Sequence, residues 1–227
     1  MELQELKTQL VREDLDIGDK YGRIFSFIDF SNVNNWFEND TQDWNNKLIS
    51  KSEKIGIDLK KLKSFADIFS DRVRTYYGED PKSSKSLGFT YVTRKIFGKR
   101  DVMTKDLQKI KHYNIEPDDA ERLKFMRTDS DGKKYVEIHK CNFDVEVSVD
   151  AIKMIKHYDT FCIFSGDADF VYLNNFLKKK GKKIIIIKGG YITAKLRNSA
   201  NLVINAQKIK KHIAKIEQRP DKSGLCG

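Results

Sequence analysis

Short apolar runs separated by helical patterns organise this chain. Residues 24–28, 161–164 and 184–187 form nearly continuous apolar runs, which are typical of strands buried on both faces. A helical pattern follows the second run, and Gly181 is predicted to end that helix. Residues 202–204 predict a short fourth strand. Because strands and helices alternate, the pattern predicts right-handed βαβ units and a mostly parallel central sheet flanked by helices.

The middle of the chain, residues 40–125, has a less regular pattern. Residues 58–69 have apolar positions at helical spacing, and residues 72–77 predict a strand. The next segment, residues 78–88, is polar and rich in Ser and Lys, which predicts an exposed loop. The pattern therefore assigns only part of this region to regular elements.

A β-hairpin and a helix are predicted between this region and the second apolar run. Two short β-like runs, residues 124–128 and 134–139, flank a turn that contains Asp131 and Gly132. Residues 144–159 then place their apolar side chains on one helical stripe. The predicted α/β fold therefore has a β-hairpin immediately before its central helix.

Both ends of the chain have helical patterns. Residues 1–20 predict an amphipathic helix, which packs on its own domain or on a second copy in a homodimer. The apolar face of this helix carries Leu3, Leu6 and Leu10. Residues 207–227 predict a basic helix and tail. Because no repeat or linker composition divides residues 22–206, we expect one domain between these two segments.

Composition limits the class of protein and its partners. Hydrophobic residues are 39% of the 227, charged residues are 33%, and no apolar run approaches the ~20 residues of a membrane span. The net charge of +10 favours a polyanion such as a nucleic acid, and we expect no membrane partner. The three cysteines include no C-x-x-C pair, which argues against a disulfide scaffold or structural zinc site. The N-terminal residues lack the apolar region of a secretory signal, so we expect the cytoplasm.

Acidic residues follow the predicted ends of two buried strands. Asp29 ends the first apolar run, and Asp167 and Asp169 come just after the second. Ligands of open parallel sheets bind beyond the carboxyl ends of the strands, so these three carboxylates would meet if the two strands are neighbours. Mg²⁺ or Mn²⁺ prefers such oxygen ligands and would relieve the repulsion among them. A phosphodiester and a metal-activated water would complete a hydrolytic site.

Each acid also has a purely structural interpretation. Asp167 or Asp169 could cap the helix that follows it, and Asp29 could form an Asx-type turn with Asn32. Asp144 begins the central helix and is predicted to be its N-cap, from which its carboxylate could instead turn toward the sheet edge. The sequence alone leaves both interpretations open.

Other candidate features are less informative. Asp150 lies six residues after Asp144, on a different face of the helix, so the two carboxylates are not expected to bind one ion in the same way. Lys140 could hold a phosphate or simply follow the hairpin, and the basic runs near the C-terminus could attract RNA or form a solvated helix face. The chain has no H-E-x-x-H, Walker A, G-x-G-x-x-G or G-x-S-x-G motif.

Three segments carry a more specific signal. They are FIDFSN (residues 27–32), KCNFDVEVSVDAI (residues 140–152) and SGDADFVYL (residues 165–173). In order and context they resemble the signature segments of the NYN domain, the PIN-like nucleases that include the LabA-type bacterial proteins. The later GGYITAKLRNSANLVIN resembles the closing segment of that family. The resemblance covers about residues 22–206 and implies a Rossmann-like PIN fold and metal-dependent cleavage of RNA, which we expect to be single-stranded.

The resemblance also implies a role for each matching residue. The residues that would bind Mg²⁺ or Mn²⁺ and catalyse are Asp29, Asp144, Asp167 and Asp169. Asn32 would orient the first of these acids or the substrate, and Lys140 and Ser165 would contact the substrate. Asp150 matches the second acid of the central segment, as an indirect or alternative ligand. An endoribonuclease of this kind would release a 3′-hydroxyl and a 5′-phosphate.

Two positions depart from the family pattern. Cys141 stands where the family usually has Gly, and Asn201 stands where an Asp is common, which removes one negative charge. Three other functions stay open: a non-catalytic RNA-binding or scaffold protein of the same fold, a Mg²⁺-dependent phosphohydrolase acting on a small nucleotide, and a protein–protein module that uses the N-terminal helix.

Overall fold

A six-stranded parallel sheet forms the centre of the computed structural model, which describes residues 3–113 and 126–219. In chain order this sheet contains β1 (Ile24–Asp29), β3 (Arg72–Glu79), β4 (Val102–Asp106), β8 (Thr160–Phe164), β9 (Lys183–Lys188) and β10 (Leu202–Asn205). Each neighbouring pair of these strands is parallel. The predicted α/β fold with a mostly parallel sheet is therefore confirmed.

Two small antiparallel sheets lie beside the central one. The first pairs β2 (Glu53–Ile57) with β11 (Ala214–Gln218). In the second, β7 (Lys134–Lys140) lies between β5 (Gln108–His112) and β6 (Met126–Thr128). The predicted hairpin is confirmed as β6 and β7, in which Thr128 pairs with Lys134. Residues 124 and 125, also assigned to the hairpin by the pattern, lie outside the described residues.

Helices cover both faces of the central sheet. They are α1 (Leu3–Asp14), α2 (Phe30–Val33), α3 (Leu59–Ala66), α4 (Ser84–Phe97), α5 (Asp144–Lys153), α6 (Phe170–Lys179), α7 (Ala194–Asn198) and α8 (Ala206–Ile213). Short 3₁₀ turns occur at Asp19–Tyr21, Lys99–Asp101 and Ile155–His157. Within the described ranges, each helix is too short or too polar to cross a lipid bilayer.

The strand order places a switch point at the middle of the sheet. The order is β10-β9-β8-β1-β3-β4, so the chain builds one half outward from β1 and the other half outward from β8. This is the order of doubly wound nucleotide-binding folds, whose ligands bind where the two halves meet, beyond the carboxyl ends of the strands. The crevice between β1 and β8 is therefore the place where this fold presents functional side chains.

Each central strand contributes to two separate cores, because successive side chains point to opposite faces. In β8, Cys162 and Phe164 enter the core under α1, α3 and α8, whereas Phe161 and Ile163 enter the core under α5, α6 and α7. All four are fully buried. Burial on both faces explains why the strand has a continuous apolar run rather than an alternating one.

The prediction of an exposed loop over residues 78–88 is wrong. β3 continues to Glu79, and α4 begins at Ser84, where Ser83 caps it by accepting a hydrogen bond from the Ser86 amide. The buried side chains in the body of this helix are Ser86, Thr90 and Thr93, with Phe97 at its end. Because three of its four buried side chains carry hydroxyls, and only Phe89, Ile96 and Phe97 add apolar contacts with the core, the hydrophobic stripe of this helix is weak.

The prediction of one basic helix after residue 206 is also wrong in part. The helix α8 ends at Ile213, and the next five residues form β11, in which Ala214 pairs with Ile57. Ile209, Ile213 and Ile216 keep helical spacing, but the backbone after Ile213 pairs with β2 instead. Residues 220–227 of the predicted helix and tail lie outside the described residues.

The central helix and the N-terminal helix are present, but both end earlier than predicted. The central helix ends at Lys153, not at residue 159, and Tyr158 is extended and buried, with its hydroxyl donating to the Ala151 carbonyl oxygen at 2.8 Å. In the N-terminal helix α1, Val11 is buried against the sheet, whereas Leu6 and Leu10 are exposed. The apolar face of α1 is therefore only partly covered within its own chain.

Candidate metal centre

The switch point brings Asp29 and Ser165 to the same level of the sheet. Ile28 of β1 pairs with Phe164 of β8, so the next residue of each strand stands at the shared carboxyl edge. The Ser165 hydroxyl lies 3.4 Å from Asp29 Oδ2. Asp29 Oδ1 also accepts a hydrogen bond from the Asn32 amide at 3.4 Å, so it caps the short helix α2 as the Asx-turn interpretation predicts.

The turn after β8 holds two more acids by a chain of hydrogen bonds. The Asp167 amide donates to the Ser165 hydroxyl at 3.2 Å, and the Asp169 amide donates to Asp167 Oδ1 at 3.0 Å. Asp169 directly precedes α6 but makes no capping hydrogen bond with its side chain. The Asp169 carboxylate is thus left available to the cluster described below.

Asn32 fastens this turn to α2. Its side-chain oxygen accepts hydrogen bonds from the Gly166 amide at 3.3 Å and from the Trp36 indole nitrogen at 2.9 Å. These two bonds fix the distance between the element after β1 and the element after β8. Asn32 therefore holds the turn that carries Asp167 in place against α2.

Asp144 reaches the same place from α5. The predicted N-cap role of Asp144 is wrong, because the helix begins at Asp144 itself and Phe143 occupies the cap position. The Asp144 amide donates instead to the side-chain oxygen of Asn142 at 2.8 Å. Because Phe143 occupies the cap position and makes no side-chain capping bond, the Asp144 carboxylate does not cap this helix.

Three of the four acids predicted to bind the ion lie close enough to share one, and the fourth, Asp29, lines a cavity with two of them. Asp144, Asp167 and Asp169 each offer a carboxylate oxygen, and these three atoms lie within 4.8 Å of one another. Asp29, Asp144 and Asp167 line one cavity of about 340 Å³. The other residues that line it are Ser31, Asn32, Asn35, Cys141 and Asn142. We call Asp29, Asp144, Asp167 and Asp169 the acid cluster.

The acid cluster carries electrostatic strain. Burial raises the pKa of Asp29 to about 6, and the charges of Asp144 and Asp167 add to this effect, while hydrogen bonds from backbone amides oppose it. Burial also raises the pKa of Asp144, and the neighbouring Asp167 and Asp169 carboxylates raise it further. Among the side chains that the structure describes, which do not include that of Lys140, no Lys or Arg forms an ion pair with these four carboxylates. A cation would therefore lower the energy of the site.

The donor set fits a hard divalent ion. Carboxylate oxygens are the preferred protein ligands of Mg²⁺ and Mn²⁺. Cys141 also lines the cavity, but burial raises the pKa of its thiol, which disfavours the thiolate that a soft metal requires. The acid cluster therefore suits Mg²⁺ or Mn²⁺ better than Zn²⁺.

Asp150 does not join the acid cluster. Its carboxylate accepts a hydrogen bond from Arg74 Nη1 at 2.5 Å and another from the Tyr76 hydroxyl at 2.8 Å. Burial and the nearby Asp150 charge raise the pKa of Tyr76, so the phenol keeps its proton and donates. Asp150 thus ties α5 to β3, two turns from the end of the helix that carries Asp144.

The remaining sequence-predicted residues have separate positions. Lys140 ends β7, where its backbone pairs with Gln108, and its side chain lies outside what the structure describes. Asn201 precedes β10, and its side-chain oxygen accepts from the Ile184 amide at 2.8 Å, near the start of β9. That position is roughly 15 Å, one strand length, from the carboxyl edge. An Asp in place of Asn201 would therefore not add a carboxylate to the acid cluster.

Cys141 fits because the neighbouring strand has no side chain at one position. A Cβ atom at Gly78 of β3 would lie 2.7 Å from Cys141 Cβ and 2.6 Å from Leu107 Cδ2. Both distances are shorter than normal carbon contacts, so Gly78 makes the space that the Cys141 side chain needs. The departure from Gly at position 141 is thus matched by Gly78 of β3, against which Cys141 packs.

Sequence reasoning missed several residues of the cavity. Ser31 and Asn35 line it, and Asn142 both lines it and holds the Asp144 amide. The polar stretch after β1 contains Ser31 and Asn35, and Asn142 comes two residues before Asp144, so proximity to the predicted acids was the available signal. Trp36 had no such signal, since its role depends on a contact with Asn32 in the folded chain.

Comparisons with known proteins agree with this geometry. The sequence model of the NYN domain matches residues 23–207. A curated relative, the "Low amplitude and bright protein LabA" of Synechococcus elongatus, is 32% identical over 100 residues, which are 44% of this chain and 52% of the relative. The match thus spans about half the length of that relative.

A solved structure has the same fold. It is a crystal structure of a protein of unknown function from Vibrio parahaemolyticus, with a TM-score of 0.52 and 17% sequence identity. The similarity covers 87% of this chain and 99% of the Vibrio protein. At this identity the likeness concerns the fold alone.

Proposed function

Because the chain belongs to the NYN domain family, whose members are generally nucleases, we propose that it is a metal-dependent endoribonuclease. The observation that carries the proposal is the convergence of the acid cluster: three carboxylate oxygens lie within 4.8 Å of one another at the switch point of the sheet. The net charge of +10 also suits a polyanionic substrate, since basic groups away from the acid cluster attract the phosphate backbone.

Each residue of the site has a task in this proposal. Asp144, Asp167 and Asp169 would hold the ion, and Asp29, at the end of β1, lines the same cavity as Asp144 and Asp167. When bound, a Mg²⁺ or Mn²⁺ ion polarises a phosphodiester and activates water for in-line attack. Ser165 and Asn32 fix the directions of Asp29 and of the turn that carries Asp167. Without a bound cation the pKa of Asp29 is raised to about 6, and a divalent ion beside it would lower that pKa and favour the carboxylate that the site needs.

A cleavage assay with matched variants tests the proposal. The full chain is incubated with 5′-labelled single-stranded RNA in Mn²⁺ or in EDTA, and product ends are identified. We expect internal cleavage in Mn²⁺, with 5′-phosphate and 3′-hydroxyl ends, and none in EDTA. Asp167→Asn should lose at least ~100-fold in rate, because one carboxylate ligand of the ion is removed. The same substitution at the exposed Asp14 of α1 is the control and should leave the rate unchanged.

Other outcomes would contradict the proposal in distinct ways. Equal cleavage by the unsubstituted chain and by Asp167→Asn would identify a contaminating nuclease. RNA binding without cleavage in any divalent ion would favour a non-catalytic member of the same fold. Release of inorganic phosphate from a small nucleotide, with RNA left intact, would favour a phosphohydrolase instead.

A further inference from the structure

Three of the most exposed apolar side chains in the described part of the chain lie near the acid cluster. Among the described residues, four large apolar side chains are more than 70% exposed. They are Leu48 at 71%, Val145 at 72%, Tyr172 at 86% and Tyr191 at 86%. Val145 is adjacent in sequence to Asp144, and the two tyrosines belong to the elements that follow β8 and β9. Three of the four therefore lie at the carboxyl edge of the sheet.

Tyr172 stands one helical turn after an acid of the cluster. Asp169 has helical backbone angles, with φ −65° and ψ −22°, and Tyr172 is three residues further along α6. Residues three apart on a helix share a face, with Cβ atoms about 5–6 Å apart. Phe170 and Leu173 on either side of Tyr172 point into the core. The Tyr172 ring therefore projects into solvent beside the Asp169 carboxylate.

Tyr191 borders the same turn from the loop after β9. Its neighbour Ile192 is buried, and a Cβ atom at Gly166 would lie 3.2 Å from Ile192 Cγ2. Gly166 directly precedes Asp167 of the acid cluster. Ile192 thus anchors the loop against the metal-site turn, while Tyr191, one residue away, turns outward.

Neither ring has a structural task in the folded chain. Within the described residues, the side chains of Tyr172 and Tyr191 make no ring contact, cation–π contact or hydrogen bond. The exposed Tyr91 of α4 differs, because the ammonium of Lys95 lies over its ring at 5.4 Å. Both faces of the Tyr172 and Tyr191 rings are therefore free to receive a planar group.

We propose that Tyr172 and Tyr191 are stacking platforms for unpaired nucleobases of an RNA strand that crosses the acid cluster. This inference rests on the proposed ribonuclease function. A phosphodiester that reaches the acid cluster brings its neighbouring bases within reach of the rings, and exposed aromatic rings bind unpaired bases by stacking. In a duplex the faces of the bases are covered by their neighbours, so the two tyrosines would select single-stranded RNA.

The expected effect is large enough to measure. Loss of one stacking ring weakens binding of a single strand by about 5- to 150-fold. Because both side chains are solvent-exposed, their truncation should leave the unfolding transition unchanged. Binding of double-stranded RNA should also be unchanged, since it relies on charge rather than on stacking.

The experiment measures binding and stacking in the full chain. Asp167→Asn in Mg²⁺ serves as the cleavage-deficient parent, and a single-stranded RNA of about a dozen nucleotides carrying 2-aminopurine is the probe. Into this parent we introduce Tyr172→Ala, Tyr191→Ala, the ring-retaining Tyr172→Phe and Tyr191→Phe, and Tyr91→Ala as the exposed control. The readouts are the dissociation constant and the quenching of 2-aminopurine, which reports stacking directly. A duplex of the same length is measured in parallel.

The outcomes separate this inference from the function on which it rests. We expect both alanine variants to lose single-strand affinity and quenching, and both phenylalanine variants and Tyr91→Ala to keep them. Alanine variants that bind and quench like the parent, in a protein whose unsubstituted chain cleaves RNA, would overturn the stacking inference and leave the nuclease proposal standing. A parent that does not bind RNA, together with an unsubstituted chain that does not cleave it, would overturn both.

Discussion

Asp150 of α5 and Asp167 of the turn after β8 should have opposite effects when substituted. The first substitution should lower stability and leave metal binding intact, and the second should lower metal binding and leave stability intact. Asp150 is bound by Arg74 and Tyr76, whereas Asp167 belongs to the acid cluster. We compare Asp150→Asn with Asp167→Asn, because both substitutions remove a charge and keep the shape of the side chain. Stability is measured in EDTA and again during a titration with Mn²⁺.

The structure gives the expected size of each effect. The Arg74 and Asp150 side chains are only 15% and 16% exposed, and removing one partner of a buried ion pair costs about 3–5 kcal/mol. Arg74 keeps Asp101 at 3.3 Å, so we expect a smaller loss of about 2–3 kcal/mol for Asp150→Asn. In a domain of this size that loss lowers Tm by about 4–12 °C. Its Mn²⁺ response should remain.

Asp167→Asn should show the reverse behaviour. The amide oxygen of Asn can still accept the Asp169 amide hydrogen bond, and one charge of a repelling group is lost, so stability in EDTA should be unchanged or slightly higher. The unsubstituted chain should gain about 2.7 kcal/mol at a Mn²⁺ concentration of 100 times Kd. Asp167→Asn should lose most of this gain.

Thermal and urea unfolding, followed by circular dichroism, measure the stability of the unsubstituted chain and of both variants in EDTA and with Mn²⁺. The reasoning is refuted if Asp150→Asn is as stable as the unsubstituted chain in EDTA yet fails to respond to Mn²⁺. That result would mean that Asp150 binds the ion, and that the contacts with Arg74 and Tyr76 are not what holds it.

Three further predictions concern other parts of the site. Asp29 keeps its proton up to about pH 6 in the folded chain but only to its ordinary value of 3.8 when unfolded, so the folded state binds more protons between these values. Asp29 should therefore lower metal-free stability by about 1–3 kcal/mol as pH rises from 4 to 6, and Asp29→Asn should remove this contribution in pH-dependent urea unfolding. Gly78→Ala should lower the free energy of unfolding by about 1–3 kcal/mol, because the added methyl group would overpack against Cys141. Adding Cys141→Gly should restore part of this loss. Equal stability of Gly78→Ala and the unsubstituted chain would show that no close contact exists. Asn201→Asp should leave Mn²⁺ affinity unchanged in calorimetry, because position 201 lies at the opposite edge of the sheet; a tighter site would contradict this placement.

The sequence by itself determined those elements whose burial is visible as a pattern of apolar residues. The continuous apolar runs of β1, β8 and β9 record burial on both faces, so the parallel sheet could be predicted from them. The positions of Asp29, Asp167 and Asp169 directly after such runs placed these acids at strand ends without any knowledge of the fold. The resemblance of the three signature segments to NYN domains then pointed to Asp144, which the strand pattern could not connect with the others.

The same local reasoning failed where burial is not apolar or where a distant strand decides. The inner face of α4 carries the hydroxyls of Ser86, Thr90 and Thr93, so the apolar period of that helix is weak. The segment after Ile213 has helical spacing, yet it becomes a strand because β2 pairs with it. In both cases the deciding neighbours lie outside the segment itself.

Only the tertiary structure decided which acids act together. The pairing of Ile28 with Phe164, 136 residues later, brings the ends of β1 and β8 together and so creates the acid cluster. Contacts between separate elements likewise pair Asp150 with Arg74 and hydrogen-bond Asn201 to the start of β9. A sequence pattern records how each segment is buried, but which carboxylates share a cavity depends on the order in which the strands pair. That order is a property of the whole sheet.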